Sequence, residues 1–327
     1  MTATATPSID VHLTTVDLRT ALEKDVLTGL TAPAKWLPPV WFYDDRGSQL
    51  FDEITRLEEY YPTRAERGLL EAHAAEIAAR SGADTLVELG AGTCDKSRVL
   101  LDALVSAGTL RRYVPLDVSD GTLWAAANAL VDEYPGLDVH AVVGDFDHHI
   151  VHIPVEGRRM VAFLGSTIGN FYPEHRRRSL FDLDCTMSHG DSLLLGTDLI
   201  KDEKKLVAAY DDAAGVTAEF NRNVLHVLNR ELHAHFEPER FQHVALWNEE
   251  DHRIEMRLRS LDDQVVPIDD LDLEVSFAAG EDLLTEISTK FSRSGVESEL
   301  YEAGFIVEAM WEAPYGEFLL TLATPYC

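Results

Sequence analysis

The chain has 327 residues, 46% of them hydrophobic, enough to bury a large core and compatible with two domains of about 150 residues each. Its 28 basic residues against 57 acidic ones leave a formal charge of −29, which repels phosphate backbones and anionic bilayers and argues against nucleic acid or a membrane as partner. Three scattered cysteines, Cys94, Cys185 and Cys327, build neither a disulfide framework nor a CxxC metal site, and no apolar run reaches the roughly 18 residues of a membrane span, so a cytoplasmic chain is expected; a monomer without metal is expected as well.

In chain order, MTATATPSIDVHL has no basic stretch followed by an apolar one and reads as a frayed start. VDLRTALEKDVLTGL has the spacing of an amphipathic helix, and the Pro- and aromatic-rich PAKWLPPVWFYDD connects it to a second helical pattern from Gly47 to Leu57. EYYPT breaks that pattern, and Pro62 and Thr63 open a long helix that stops at Ser81-Gly82. From there short apolar runs alternate with helical stretches: TLVELG, RYVPLDV, HAVVGD, RRMVAFLGS and DSLLLGTDL are the strands. Strands separated by helices predict a parallel, doubly wound α/β sheet. Beyond Leu199 the rhythm changes to one helical segment around LVAAYDDAAGVTAEFNRNVLHVLNREL, followed by strand-like FQHVALW, RIEMRLRS, QVVPI and LDLEVSF. VESELYEAGF predicts a last helix, and IVEAMWEA and EFLLTLAT a closing strand pair about Pro314-Tyr315-Gly316. Residues 62–200 with 290–327 are expected to form the sheet domain, and 11–61 with 201–289 a second, smaller α+β domain.

The most informative stretch is LVELGAGTCDKS, where a strand ends in Glu88, Gly90 and Gly92 and a helix follows. Two glycines allow a tight turn beside a ligand. A dinucleotide fold wants a third glycine where Asp95 stands, and a carboxylate there would face a pyrophosphate, so NAD is disfavoured and a cationic sulfonium without phosphate is tolerated. Asp117 ends the next strand and is placed to accept from ribose hydroxyls, and Asp145-Phe146 end the third, offering an acceptor for an exocyclic amine and a ring face for adenine. Each aspartate alone is more often a cap or turn former than a ligand. Together they sit at successive strand tips, where open α/β sheets bind ligands.

These residues resemble the S-adenosylmethionine (SAM) site of class I methyltransferases, whose Rossmann-like seven-stranded sheet has an antiparallel last strand. WFYDDRGSQLFDEITRLEEYYPTRAE, FLGSTIGNF, LLGTDLIKD, AYDDAAGVTAEFNRNVL and the stretch from RIEM to LLTEISTKF resemble, more specifically, the histidine-specific Nα-methyltransferases of ergothioneine biosynthesis. The likeness covers nearly the whole chain after its opening residues. It implies threefold methylation of the α-amine of L-histidine to hercynine, with S-adenosylhomocysteine as the second product. By the same resemblance Lys96 reaches the methionine carboxylate of the cofactor, although a lysine in a helix's first turn is also an ordinary solvated residue. Gly165 and Asn170 fall at positions for the amine and carboxylate of histidine, with Tyr43, Phe51, Tyr60 and Tyr210 as an aromatic wall. Read without the family, aromatics in such loops fill cores; a quaternary ammonium product, held by ring faces, gives them a second use. Glu286 and Ser288 are implied to read the imidazole nitrogens, with Met256 against the ring, whereas alternation alone would turn Glu286 and Ser288 outward from a strand. Cys94, where a small polar residue is usual, and Phe171-Tyr172 after Asn170 are the departures.

Methyl transfer is an in-line displacement that needs alignment and a neutral amine. No histidine or lysine near the motifs serves as a dedicated base, so Tyr43, a backbone carbonyl near Gly165 or water is expected to take the proton. Competing readings are a methyltransferase of the same fold acting on a tryptophan derivative, a non-catalytic adenosine-ligand module and a nicotinamide dehydrogenase.

Overall fold

The computed structural model describes residues 6–326. In chain order its elements are β1 (Ser8–Val11), α1 (Thr15–Leu30), β2 (Lys35–Trp36), α2 (Asp45–Ile54), α3 (Tyr61–Ser81), β3 (Thr85–Leu89), α4 (Ser97–Ser106), β4 (Arg112–Asp117) and α5 (Asp120–Glu133). Then come β5 (Asp138–Val143), α6 (Phe146–His149), β6 (Arg159–Phe163), α7 (Pro173–Thr186), β7 (Ser192–Asp198), α8 (Glu203–Tyr210) and α9 (Val216–Leu232). The remainder is β8 (Phe241–Asn248), β9 (Arg253–Ser260), β10 (Gln264–Ile268), β11 (Leu273–Phe277), β12 (Asp282–Thr289), α10 (Arg293–Glu302), β13 (Phe305–Glu312) and β14 (Phe318–Pro325). These elements form two compact units, one made, among the described residues, of 6–13, Pro62–Ile200 and 291–326, the other of Thr14–Tyr61 and Lys201–Lys290.

The first unit is an eight-stranded sheet in the order β1-β5-β4-β3-β6-β7-β14-β13. β14 pairs antiparallel with both β7 and β13, and the other pairings are parallel. The seven strands after β1 have the class I methyltransferase arrangement. Both faces of the sheet are covered, as the continuous apolar runs require. Leu86, Met160 and Ala162 face a core completed by Leu70 and Ile77 of α3, Leu101 of α4 and Leu130 of α5. Val87, Leu89, Val161 and Phe163 face the opposite core with Leu180 of α7 and Leu300 of α10. β1 corrects the expectation of a frayed start: it pairs with β5 from Ser8 opposite His140 to Val11 opposite Val143. Four mostly exposed residues carry too little periodicity to announce a strand. Its anchors are specific, with Ser8 Oγ 2.9 Å from His140 Nδ1 and Asp10 Oδ2 2.9 Å from His140 Nε2.

The second unit has a four-stranded sheet, β2-β12-β9-β8, and a separate β10–β11 pair, both flanked by helices. α1 begins with a reciprocal cap, Thr14 Oγ1 accepting from the Asp17 N–H at 3.2 Å and Asp17 Oδ2 accepting from the Thr14 N–H at 3.0 Å. The single helical segment expected after Leu199 is two helices. Asp212 breaks it by accepting the N–H groups of Val216 at 3.0 Å and Thr217 at 2.7 Å, which starts α9 afresh after Gly215 at φ 76°.

A buried polar chain ties α9 to the sheet. His243 Nε2 lies 2.8 Å from the Tyr210 carbonyl, an acceptor only, so that nitrogen carries the proton and the bare Nδ1 accepts from Asn221 Nδ2 at 2.8 Å. Asn221 Nδ2 also donates to the Arg257 carbonyl at 3.1 Å, and its Oδ1 accepts from Thr285 Oγ1 at 2.6 Å. The imidazole is thereby held neutral, and burial lowers its pKa from 6.5.

Two outcomes follow. A Cβ on Gly29 would stand 2.0 Å from the Trp36 carbonyl oxygen of β2. Gly29→Ala gains about 1 kcal/mol of helix propensity, but the clash is with backbone, and overpacking of about 1–3 kcal/mol is expected to win; a lowered urea midpoint checks it. Native His243 binds fewer protons than unfolded His243 below the unfolded pKa, so stability falls as pH drops through about 6.5. Urea titrations at pH 7.5 and 5.5 are expected to show a smaller acid loss in His243→Gln than in the parent, and equal losses would contradict the buried neutral imidazole.

Candidate active site

At the carboxyl ends of β3 to β6 the first unit gathers Glu88, Gly90, Gly92, Lys96, Asp117, Asp145, Phe146, Gly165 and Asn170, because parallel strands deliver the residues that follow them to one edge. The turn after β3 takes left-handed φ at Gly90 (70°), Gly92 (51°) and Cys94 (57°). A Cβ on Gly90 or Gly92 would meet nothing within 4 Å, so the backbone angle demands glycine and the space beside the turn is open, as a cradle for a ligand requires. The Gly92 N–H donates to Asp117 Oδ2 at 2.8 Å and the Ser119 N–H to Oδ1 at 2.9 Å. Burial raises the Asp117 pKa, and the N–H groups of Ser119, Gly92 and Val118 oppose it.

Glu88 lies beneath the turn, 3% exposed, where one carboxylate oxygen takes the Ser97 hydroxyl and, at 2.5 Å, the Tyr113 phenol. Burial pushes its pKa to about 7. Cys94 points into the same core and burial raises its thiol far above the ordinary range, which leaves it unreactive. Asp145 Oδ2 sits 3.1 Å from His148 Nδ1, and the Phe146 ring packs 5.3 Å from Phe163 and 5.7 Å from Phe171.

Lys96 begins α4 and its Nζ is 2.5 Å from Glu66 Oε2. The other oxygen of Glu66 accepts the Gly165 N–H at 2.7 Å. Gly165 (φ 75°) and Ser166 (φ 57°) form a left-handed pair after β6, and Ser166, which pays a steric cost there, is held by its Oγ accepting the Asp198 N–H at 2.9 Å. Asn170 closes the short helical turn that follows.

In the second unit Tyr43, Phe51, Tyr60 and Tyr210 form a chain of edge-on rings, with centroids 5.7 Å apart for Tyr43–Phe51, 6.2 Å for Phe51–Tyr60 and 6.1 Å for Tyr60–Tyr210. Phe220 of α9 backs it at 5.5 Å from Tyr43 and 5.9 Å from Phe51. Glu286 and Met256 are register partners on β12 and β9, and Ser288 lies two residues on, so all three share one sheet face. Tyr210 joins them, its phenol 2.8 Å from Ser288 Oγ. Glu286 is half-buried, and desolvation carries its carboxyl to about 7 against the opposing charge of Lys290.

Glu66, Phe220 and Lys290 were not among the residues expected from sequence. Glu66 looks like any solvated helix glutamate. Lys290 was discoverable, since Glu286, Ser288 and Lys290 alternate along one strand and its end.

Residues 22–325 match the family described as histidine-specific, SAM-dependent methyltransferases. The chain is 57% identical over 303 residues to a histidine N-alpha-methyltransferase of Mycolicibacterium smegmatis, covering 93% of this chain and 94% of that one. A histidine N-alpha-methyltransferase of Mycobacterium tuberculosis is 55% identical with the same coverages, and the ergothioneine biosynthesis protein 1 of Neurospora crassa is 34% identical over 68% of this chain and 26% of that protein. With the turn after β3 and the sheet order in agreement, the chain belongs to the family of histidine-specific, SAM-dependent methyltransferases.

Proposed function

We propose that this chain methylates the α-amine of L-histidine three times, forming hercynine and S-adenosylhomocysteine, as a step of ergothioneine biosynthesis. The observation that carries the reading is the shared face of Met256, Glu286 and Ser288 with Tyr210 beside it. A neutral imidazole has one N–H and one bare nitrogen. Glu286 accepts from the first, the Ser288 hydroxyl donates to the second, and Met256, 1% exposed, packs against the ring. An indole has no second nitrogen and would leave that hydroxyl unsatisfied, which disfavours a tryptophan derivative.

SAM, when bound, supplies a methyl group activated on a sulfonium. Gly90 and Gly92 give it room, Asp117 takes the ribose hydroxyls, Asp145 and Phe146 take the adenine, and Lys96 meets the methionine carboxylate while Glu66 fixes the ammonium. Glu88 supports the turn from below through Ser97 and Tyr113. Gly165 and Asn170 are part of the same proposal, assigned to the substrate amine and carboxylate. The rings of Tyr43, Phe51, Tyr60 and Tyr210 suit a methylated ammonium that no longer donates hydrogen bonds, at about 0.5–2 kcal/mol per ring. The Tyr43 phenol is assigned the relay of the amine proton in each round, taking it as its own hydroxyl proton passes to water, with the Gly165 carbonyl or water as the other hydrogen-bond acceptors.

Incubation with labelled SAM and each amino acid in turn, read by product mass, is expected to add three methyl groups to histidine alone; methylation of another amino acid, or of none, would refute the proposal. Tyr43→Phe is expected to lower turnover on the order of tenfold and shift its pH profile. An unchanged rate and profile would remove the phenol from proton transfer.

A further inference from the structure

Lys290 is 2% exposed, and a lysine so deeply buried needs a reason. Its Nζ stands 2.8 Å from the Tyr210 phenol and 2.8 Å from Ser288 Oγ, and 4.7 Å from the centre of the Tyr210 ring. The two hydroxyl oxygens are themselves 2.8 Å apart, so the three groups close a triangle. An ammonium only donates. Each oxygen therefore spends a lone pair on Lys290, and one hydroxyl must donate to the other. The phenol is the stronger acid and the ammonium polarises it further, which makes Tyr210 the donor and Ser288 the acceptor in that bond. Ser288 Oγ then accepts twice, and its own proton is directed to a ligand. On the same face Glu286 carries the acceptor.

We propose that Lys290 is a specificity-determining residue that acts through Tyr210 and Ser288: it fixes the pair as a hydrogen-bond donor, so that Glu286 and Ser288 together read a ring bearing one N–H and one bare nitrogen. Without the ammonium, the Tyr210–Ser288 bond is free to reverse, and Ser288 can offer a lone pair where a proton is needed. The cost falls on ligands with a second ring nitrogen. A ring with a single N–H shares only the change at Glu286, which loses the neighbouring ammonium whichever ring is bound. This inference rests on the histidine-binding reading above.

The test compares L-histidine with β-(3-pyrrolyl)alanine, in which the N–H remains and the bare nitrogen is replaced by C–H. Affinities are measured by calorimetry in the presence of S-adenosylhomocysteine for the parent, Lys290→Met and Lys290→Arg. The parent is expected to prefer histidine. Lys290→Met is expected to lose about tenfold more affinity for histidine than for the pyrrole analogue, the effect at Glu286 being common to both, and Lys290→Arg, which keeps the donors, to retain part of the preference. Equal weakening of both ligands, or an unchanged ratio, would reduce Lys290 to a structural residue and overturn the proposal. Should Lys290→Met fail to fold, Lys290→Leu carries the same comparison: selective loss of histidine supports the polarity and an unchanged ratio overturns it. A parent protein that binds neither ligand would instead refute the histidine-binding reading.

Discussion

Glu66 places a carboxylate wholly out of solvent, and the ligand-facing edge of the first unit is organised to satisfy it. Burying such a charge is tolerable only with a counter-charge and hydrogen bonds. Lys96 supplies the first and the Gly165 N–H the second, and Gly196 leaves the room, since a Cβ there would stand 2.2 Å from Glu66 Oε1. One side chain of α3 thus fixes the start of α4 and the turn after β6. The left-handed Ser166, a conformation that costs about 1 kcal/mol or more, persists because its neighbours hold it on both sides.

The second unit solves the opposite problem, a buried cation. Lys290 is matched by two hydroxyls and by the nearby charge of Glu286, and those are the groups from which the proposed imidazole-reading face is made. On that proposal, structural satisfaction and ligand recognition draw on the same bonds. The buried chain from Thr285 through Asn221 and His243 to the Tyr210 carbonyl sets where Tyr210 stands, and hence where the phenol meets Ser288. The strongly acidic surface takes no part in this arrangement.

The parallel sheet was legible because strands covered on both faces carry apolar runs that alternation does not interrupt, such as MVAF in β6 and LLL in β7. β1 was not, being four residues at an edge, and neither was the break between α8 and α9, where Asp212 acts through a capping bond that hydrophobic spacing does not register. The glycine turn and Asp117 could be read from residue chemistry. Tyr43, Tyr60, Met256 and Glu286 came from the family resemblance, because aromatics and a strand glutamate have common structural uses. Glu66 escaped both routes: its role depends on Lys96 and Gly165, residues distant in sequence that only the folded sheet edge assembles.

The most direct test is a crystal structure of the protein with L-histidine and S-adenosylhomocysteine. One ring nitrogen is expected on the Glu286 carboxylate, the other on Ser288 Oγ, and Met256 against the ring face. An imidazole bound away from the β9–β12 face, or one whose nitrogens meet neither side chain, would contradict it.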